Sequence, residues 1–387
     1  MLALHTRAAL GDDAHSGIYK VLALGEALEG AFAPSRVLIE QRGRAPRGEY
    51  AALQALGYAG IVADERPSRL PSDLVCVSDI AHPGVVALGD VVRLRENGQI
   101  SILHRRGANA NFLFATERCN SYCLMCSQPP RAENDDWRVD ELREVVPLID
   151  RDIPHLGITG GEPTLLGDRL AEIIRLIGEY LPRAHLHILS NARLFADPAL
   201  TDTLVQAGRN VMWAVPLYAD TAPRHDYIVQ ADGAFEDTIN GLYNLAERGA
   251  AIELRMVLHA KTVGRLDQFA EFVWRSLPFV KHVAFMGLEP MGFAKLNRAD
   301  LYVDPLDYRD ALERAAWFLA DRGIPTSIYN TPLCLLTPGA WPLARRSISD
   351  WKNVFAPECD ACAVRDRCSG FFKSAGAAWR SRGIQPI

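Results

Sequence analysis

The sequence predicts an α/β protein, an open partial (β/α)6 barrel with a small α+β domain before it and a cysteine-rich extension after it. Three observations carry this prediction. From about residue 111, short apolar strands alternate with amphipathic helices, the signature of parallel βαβ units. Six such strands are fewer than a closed eight-fold barrel needs. Of the eight cysteines, three follow the first of these strands and four lie near the end of the chain.

The leading domain is placed at residues 1–108. Residues 36–40 and 60–62 read as short strands around a helix that ends at Gly57. Residues 90–94 and 99–103 alternate apolar and polar side chains across Asn97-Gly98, a strong hairpin signal. No chemistry is visible in this domain, and Cys76, inside the run Leu74-Val75-Cys76-Val77, reads as a small buried hydrophobe.

The barrel is placed at residues 109–322. Its six strands are expected near 111–115, 155–159, 185–189, 211–217, 252–258 and 282–288. Leu142, Val145, Val146 and Ile149 share one helix face, as do Leu170, Ile173, Ile174, Ile177 and Leu181. Further helices are expected near 236–248, 265–276 and 305–322, the last opened by Asp304-Pro305. The extension, 323–387, is rich in loops and would bury little core, so a metal site would supply its missing stabilisation.

Composition narrows the class. The chain has 387 residues, 49% hydrophobic and 23% charged, with a net charge of −5. That balance gives no basic face for nucleic acid or anionic membrane. No apolar run reaches the ~20 residues of a membrane span, and no secretory signal opens the chain. A cytoplasmic location is expected, where eight cysteines read as metal ligands rather than a disulfide framework.

Cys119-x3-Cys123-x2-Cys126 offers three thiolates in one short loop after a strand. Clusters that only transfer electrons usually take four cysteines. Three leave one iron of a [4Fe–4S] cubane open to a ligand with amino and carboxylate groups. The competing reading is zinc completed by His104 or His155, neither at regular finger spacing. Gly160-Gly161-Glu162-Pro163 follows the second strand; its glycines allow close backbone approach and its carboxylate suits an ammonium, although a Gly-Pro turn is the plain alternative. Arg255 lies within an apolar strand, where a charge needs a partner, and Glu289 follows the sixth strand as a solvated loop acid. Cys334, Cys359, Cys362 and Cys368 supply four thiolates for an auxiliary [4Fe–4S] cluster or, as the less favoured filling, zinc.

The C-x3-C-x2-C loop resembles that of the radical S-adenosylmethionine (SAM) superfamily, and Gly160–Pro163 resembles its GGEP motif, which binds the methionine amino group of SAM. Met125 stands where that superfamily usually has an aromatic beside the adenine; methionine still offers apolar and sulfur–aromatic contact. Ser190-Asn191 is similar to the position that contacts the SAM ribose or carboxylate. Arg255 would pair with the SAM carboxylate or with a structural acid. The tail resembles SPASM and twitch extensions, with cysteines for one auxiliary cluster.

The wording from Thr116 to Pro130, the segment Ile158–Leu166 and the run Ile328–Cys334 resemble radical SAM maturase C of the His-Xaa-Ser peptide system, across about 85–372. That resemblance implies an enzyme that cleaves SAM to a 5′-deoxyadenosyl radical and modifies a ribosomal precursor peptide with His-Xaa-Ser repeats. It also implies an electron donor and a second radical SAM maturase as partners. The separateness of the leading domain, taken with that substrate class, makes it a candidate grip on the peptide. The alternatives are a radical SAM enzyme acting on a small molecule and a non-catalytic iron–sulfur or zinc protein.

Overall fold

The leading part of the chain forms one mixed sheet. A computed structural model describes residues 4–10, 16–44, 50–346 and 353–387. The strands are β1 (His5–Arg7), β2 (Ala9–Leu10), β3 (Gly17–Leu22), β4 (Val37–Glu40), β5 (Gly60–Val62), β6 (Val75–Ser78), β7 (Val91–Leu94) and β8 (Gln99–His104). Their order is β1-β8-β7-β3-β4-β5-β6-β2. Only Ala8 separates β1 from β2, so one extended segment pairs with β8 at its start and with β6 at its end. The sheet therefore closes on itself, which removes the free edges that an open sheet presents.

The hairpin across Asn97-Gly98 forms as its alternation predicts, with β7 antiparallel to β8. Gly98 takes a φ of +77°, and a Cβ there would lie 2.3 Å from the carbonyl of Ala8. Alternation along β3 sends Tyr19 and Val21 into the core of this sheet. Ile18, and Val91 from β7, instead join the core of the following unit. Cys76 is buried on the sheet's other face beside Ile39, Leu53 and Ile61.

The second sheet is entirely parallel. It comprises β9 (Phe112–Phe114), β10 (His155–Thr159), β11 (His185–Leu189), β12 (Val211–Pro216), β13 (Ala251–Leu258), β14 (His282–Gly287), β15 (Thr326–Tyr329) and β16 (Ala344–Arg345), in that order. It curls into a nearly closed barrel whose edges are β9 and β16. Six strands appear where the sequence pattern puts them. The other two correct both the count of six and the barrel's end at 322. β15 opens on the polar pair Thr326-Ser327 and β16 has only two residues, so neither shows the apolar run that marks β9.

Helices connect the strands and cover the barrel's outer face. The helix Asp168–Tyr180 buries Leu170, Ala171, Ile173, Ile174 and Ile177, each leucine or isoleucine side chain worth about 1.5–3 kcal/mol when fully buried. Among the helices that escaped the sequence reading are Pro198–Gln206 and Ala222–Val229. The first carries a proline at N1 and an Asp197 cap on the N–H of Ala199 at 2.9 Å.

Charged side chains fasten the leading sheet to the barrel. Lys20 is fully buried and its Nζ lies 2.9 Å from Asp150 Oδ1. Arg106 reaches the same carboxylate through Nε at 2.8 Å and Nη2 at 2.7 Å.

The tail contributes more core than its composition suggested. Leu333, Leu336, Ala340, Leu343, Val364 and Cys368 are buried against the barrel. β17 (Asn353–Val354) pairs antiparallel with β18 (Phe371–Phe372). Ser381 then donates to Asp304 at 2.7 Å, anchoring the end of the chain. Among the described residues, no helix is long and apolar enough to cross a membrane.

Candidate active site

The carboxyl ends of the parallel strands open on a cavity of about 670 Å³. Its wall includes Cys119, Cys123 and Cys126 together with Met125, Gly160, Gly161, Glu162, Ser190, Asn191, Arg255 and Glu289. Eleven residues far apart in sequence thus meet at the end of a parallel barrel where active sites lie. Pro163 lies outside the lining: it is buried as the first residue of the 3-10 turn Pro163–Leu166. Glu289, expected as a solvated acid, is half-buried and lines the cavity.

The cysteine loop is held from three sides. Ala115 N–H donates to Thr159 O at 2.7 Å, continuing β9 along β10 into the loop. The N–H groups of Tyr122 and Leu124 donate to the carbonyls of Val229 and Ile228, both at 2.9 Å. Phe293 N–H donates to Cys126 O at 2.8 Å, so the segment after β14 closes over the far side.

Gly160 and Gly161 are required by this packing. Gly161 N–H donates to Thr116 O at 2.7 Å, and Glu162 N–H to Arg118 O at 2.8 Å. A Cβ on Gly160 would lie 2.5 Å from Thr116 O, and one on Gly161 only 2.2 Å from Arg118 O. Neither glycine sits at positive φ; closeness to the cysteine loop, not backbone conformation, selects them.

Glu162 departs from the simple picture of a carboxylate kept for an ammonium. It is fully buried, and its Oε1 accepts Thr164 N–H at 3.0 Å, Thr164 Oγ1–H at 2.6 Å and Ser190 Oγ–H at 2.8 Å. Its Oε2 accepts Asn191 N–H at 2.6 Å. Burial raises its pKa, and the four hydrogen bonds work against that rise. Ser190 and Asn191, a two-residue signal in the sequence, thus reach the site as partners of Glu162. Asn191 Nδ2 also donates to Asn120 Oδ1 at 2.6 Å, inside the cysteine loop.

The thiols suit an iron–sulfur cluster. All three border one cavity, and each feels burial before anything else: Cys119 is pushed up to about 11, with Glu162 and Cys126 adding negative charge, while Cys123 and Cys126 rise by the same cause. Free thiols would stay protonated there, whereas bound iron compensates the thiolate charge. No fourth cysteine lines this cavity. Among the described residues, no three histidine, cysteine, aspartate or glutamate side chains are close enough to hold a metal ion. His155, one candidate for a zinc ligand, is exposed at the start of β10, the opposite end of the barrel from the cysteine loop.

In the tail, Cys334 lies within electrostatic reach of Cys359 and Cys368. Burial raises Cys334, and the negative charges of Cys368 and Cys359 add to it. Cys368 Sγ accepts the N–H groups of Leu333 and Gly370, each at 3.4 Å. Such N–H···S bonds suit a ligating thiolate.

Sequence reasoning missed several wall residues. Tyr218 follows β12 directly and packs with Met125 and Ile228. Its place at a strand's carboxyl end was the available signal. Leu103 and Arg105 come from the leading sheet, as does His104, which the sequence offers only as a zinc ligand, and Asn330 and Phe372 come from just after β15 and from the tail. All three segments of the chain therefore contribute to one cavity.

Beneath the cavity the barrel's lumen is polar. Arg255 Nε donates to Glu253 Oε1 at 2.5 Å, and its Nη2 lies 3.3 Å from His187 Nε2. His282 Nδ1 lies 2.9 Å from Glu253 Oε2, and its Nε2 lies 2.9 Å from Ser327 Oγ. Burial alone would raise the Glu253 carboxyl, but His187, His282 and Arg255 outweigh it and hold it far below the usual range.

The chain is similar to the solved structure of anSMEcpe with bound AdoMet and the Cp18Cys peptide, at 12% identity and a TM-score of 0.50, over 71% of this chain and 91% of that one. It is similar to Streptococcus suis SuiB bound to S-adenosylmethionine, at 14% identity and 0.45, over 57% of this chain and 50% of that one, about half of SuiB's length. A third similarity is to a radical SAM methyltransferase from Sphaerobacter thermophilus, at 16% identity and 0.41, over 62% of this chain and 73% of that one. At 12% identity the likeness to anSMEcpe is one of fold. No curated protein sequence matches the chain. The Radical SAM superfamily model matches residues 113–273, from within β9 to the helix after β13. The chain carries a radical SAM superfamily domain over that span.

Proposed function

We propose that this protein is a radical SAM enzyme that modifies a ribosomally made peptide carrying His-Xaa-Ser repeats. The reading rests on the convergence of Cys119, Cys123 and Cys126 with the Gly160–Glu162 loop on one cavity. Cys119, Cys123 and Cys126 would hold a [4Fe–4S] cluster, which when bound beside SAM would supply the one-electron chemistry needed to take hydrogen from an unactivated carbon.

The chain's own residues bind, orient and enclose. Gly160 and Gly161 let the strand end approach the cysteine loop closely enough to fix both. Glu162 ties that loop to Ser190 and Asn191, keeping the cavity floor rigid. Met125 and Tyr218 offer an apolar surface beside the cysteines for the adenine. Leu103, His104 and Phe372 add further wall to the cavity.

A peptide substrate is supported by the wording around the cysteines and by the fold shared with anSMEcpe, whose structure carries a peptide. The four tail cysteines would hold an auxiliary cluster that accepts the electron left after bond formation or binds the peptide. A cytoplasmic setting, an electron donor and a partner maturase complete the reading.

Anaerobic reconstitution followed by a search for dithionite-dependent 5′-deoxyadenosine tests it. Formation of the product by the wild type and its loss in Cys123→Ala is the expected result. Full iron loading without the product would sink the enzyme reading. Incubation with a synthetic His-Xaa-Ser peptide, read by mass spectrometry, tests the substrate separately.

A further inference from the structure

The polar cluster in the barrel's lumen has a cost that asks for a reason. Barrel interiors are ordinarily filled with branched aliphatic side chains. Buried ion networks can often be replaced by such residues with no loss of stability. Here Glu253, Arg255, His187, His282 and Ser327 occupy the lumen directly below the cavity. Strand periodicity puts Glu253 and Arg255 on one face of β13, with Arg255 nearer the carboxyl end.

The guanidinium is engaged on one side. Nε is taken by Glu253 and Nη2 faces His187, while no described residue bonds to Nη1. Arg255 lines the cavity. Glu253 is itself fixed, because His282 meets its other oxygen and is held in turn by Ser327. An arginine clamped in this way presents a planar donor edge whose geometry matches a carboxylate. The two readings of Arg255, partner of a structural acid and receptor for a ligand's carboxylate, are then parts of one device.

We propose that Glu253, braced by His187 and His282, is a positioning residue that aims Arg255 at a carboxylate bound on the cavity floor. One source of that carboxylate is SAM, which rests on the radical SAM reading; the other is the substrate.

The test uses the full-length, cluster-loaded protein and measures anaerobic binding of SAM and of decarboxylated SAM. For the wild type, SAM should bind more tightly by about tenfold or more, the value of a hydrogen bond to a charged group. Glu253→Gln and Arg255→Lys should weaken SAM by a similar factor and leave decarboxylated SAM unchanged. His282→Asn keeps the acid and should move in the same direction by less, which protects the test if Glu253→Gln folds poorly. Iron content and melting temperature report folding.

If SAM is unaffected, the same variants are titrated with a His-Xaa-Ser peptide bearing a free or an amidated carboxyl terminus. Weakening confined to the free acid supports the receptor and assigns it to the substrate. Equal weakening of all ligands, or no change in any, overturns the proposal. A wild type that loads iron but binds no SAM refutes the radical SAM reading instead, and the peptide arm then decides this one.

Discussion

The carboxylate of Glu162 accepts the backbone N–H of Asn191 at 2.6 Å, so the loop after one strand is tied to the end of the next. Because Oε1 takes three further donors from Thr164 and Ser190, Glu162 acts as the keystone of the cavity floor. Its removal leaves buried donors unpaired, each costing about 1–3 kcal/mol.

Glu162→Ala should therefore cost about 3–5 kcal/mol, a value reserved for broken buried networks. Ser190→Ala, which removes one neutral donor, should cost about 1 kcal/mol. Chemical denaturation measures both. Equal losses would mean that the four bonds do not act together.

Gly161→Ala places a Cβ 2.2 Å from Arg118 O, backbone that cannot step aside without shifting the cysteine loop. The expected readout is lower iron retention after reconstitution. Gly178, in the helix Asp168–Tyr180, is the control: a Cβ there meets nothing within 4 Å. Gly178→Ala should stabilise by about 0.5–1 kcal/mol through helix propensity and leave iron loading intact.

Lys20 and Asp150 test the joint between the leading sheet and the barrel. Asp150→Ala strands a fully buried ammonium and should cost about 3–5 kcal/mol. Lys20→Met removes the buried charge while Arg106 still pairs with Asp150, and should cost far less. If the two variants melt alike, the Lys20–Asp150 pair does not govern the joint.

Much of this arrangement was legible in the sequence, and the remainder was hidden for definable reasons. Cysteine spacing and the Gly160–Pro163 motif stand out because chemistry fixes residue type at fixed intervals. Strands β9 to β14 stand out because each has enough apolar residues for a pattern. β15 is half polar, opening on Thr326-Ser327, and β16 has only two residues. The closure of the leading sheet through Ala8 depends on pairings between β1 and β8 and between β2 and β6, which no local window contains. Glu162's four partners were equally invisible, since they arrive from a turn and from the next strand. That closure also argues against gripping a peptide by adding it as an edge strand to the leading sheet.

Three histidines predict how the fold responds to acid. Burial pushes His104 down to about 4, helped by the charge of Lys20. His225 falls to about 4 by burial, and His259 to about 3 by burial with Lys261. Unfolded histidine titrates near 6.5, so between that pH and the folded values the unfolded chain binds more protons. Stability is then intact above about pH 6.5 and is lost as pH falls toward 4, on the order of 3 kcal/mol for each histidine. Glu253 and Asp150, held low, add losses only below about pH 4, whereas Glu162, held high, gains as it protonates. The melting temperature should therefore drop steadily from pH 6.5 to 4.5. His104→Leu isolates one contribution, because both ring nitrogens of His104 are buried with no hydrogen-bond partner among the described residues. An apolar replacement relieves that cost at pH 7 and removes the proton-linked loss below it. The variant should melt at or above wild type at pH 7 and show a shallower acid slope; an unchanged slope would mean that His104 is not held neutral by burial.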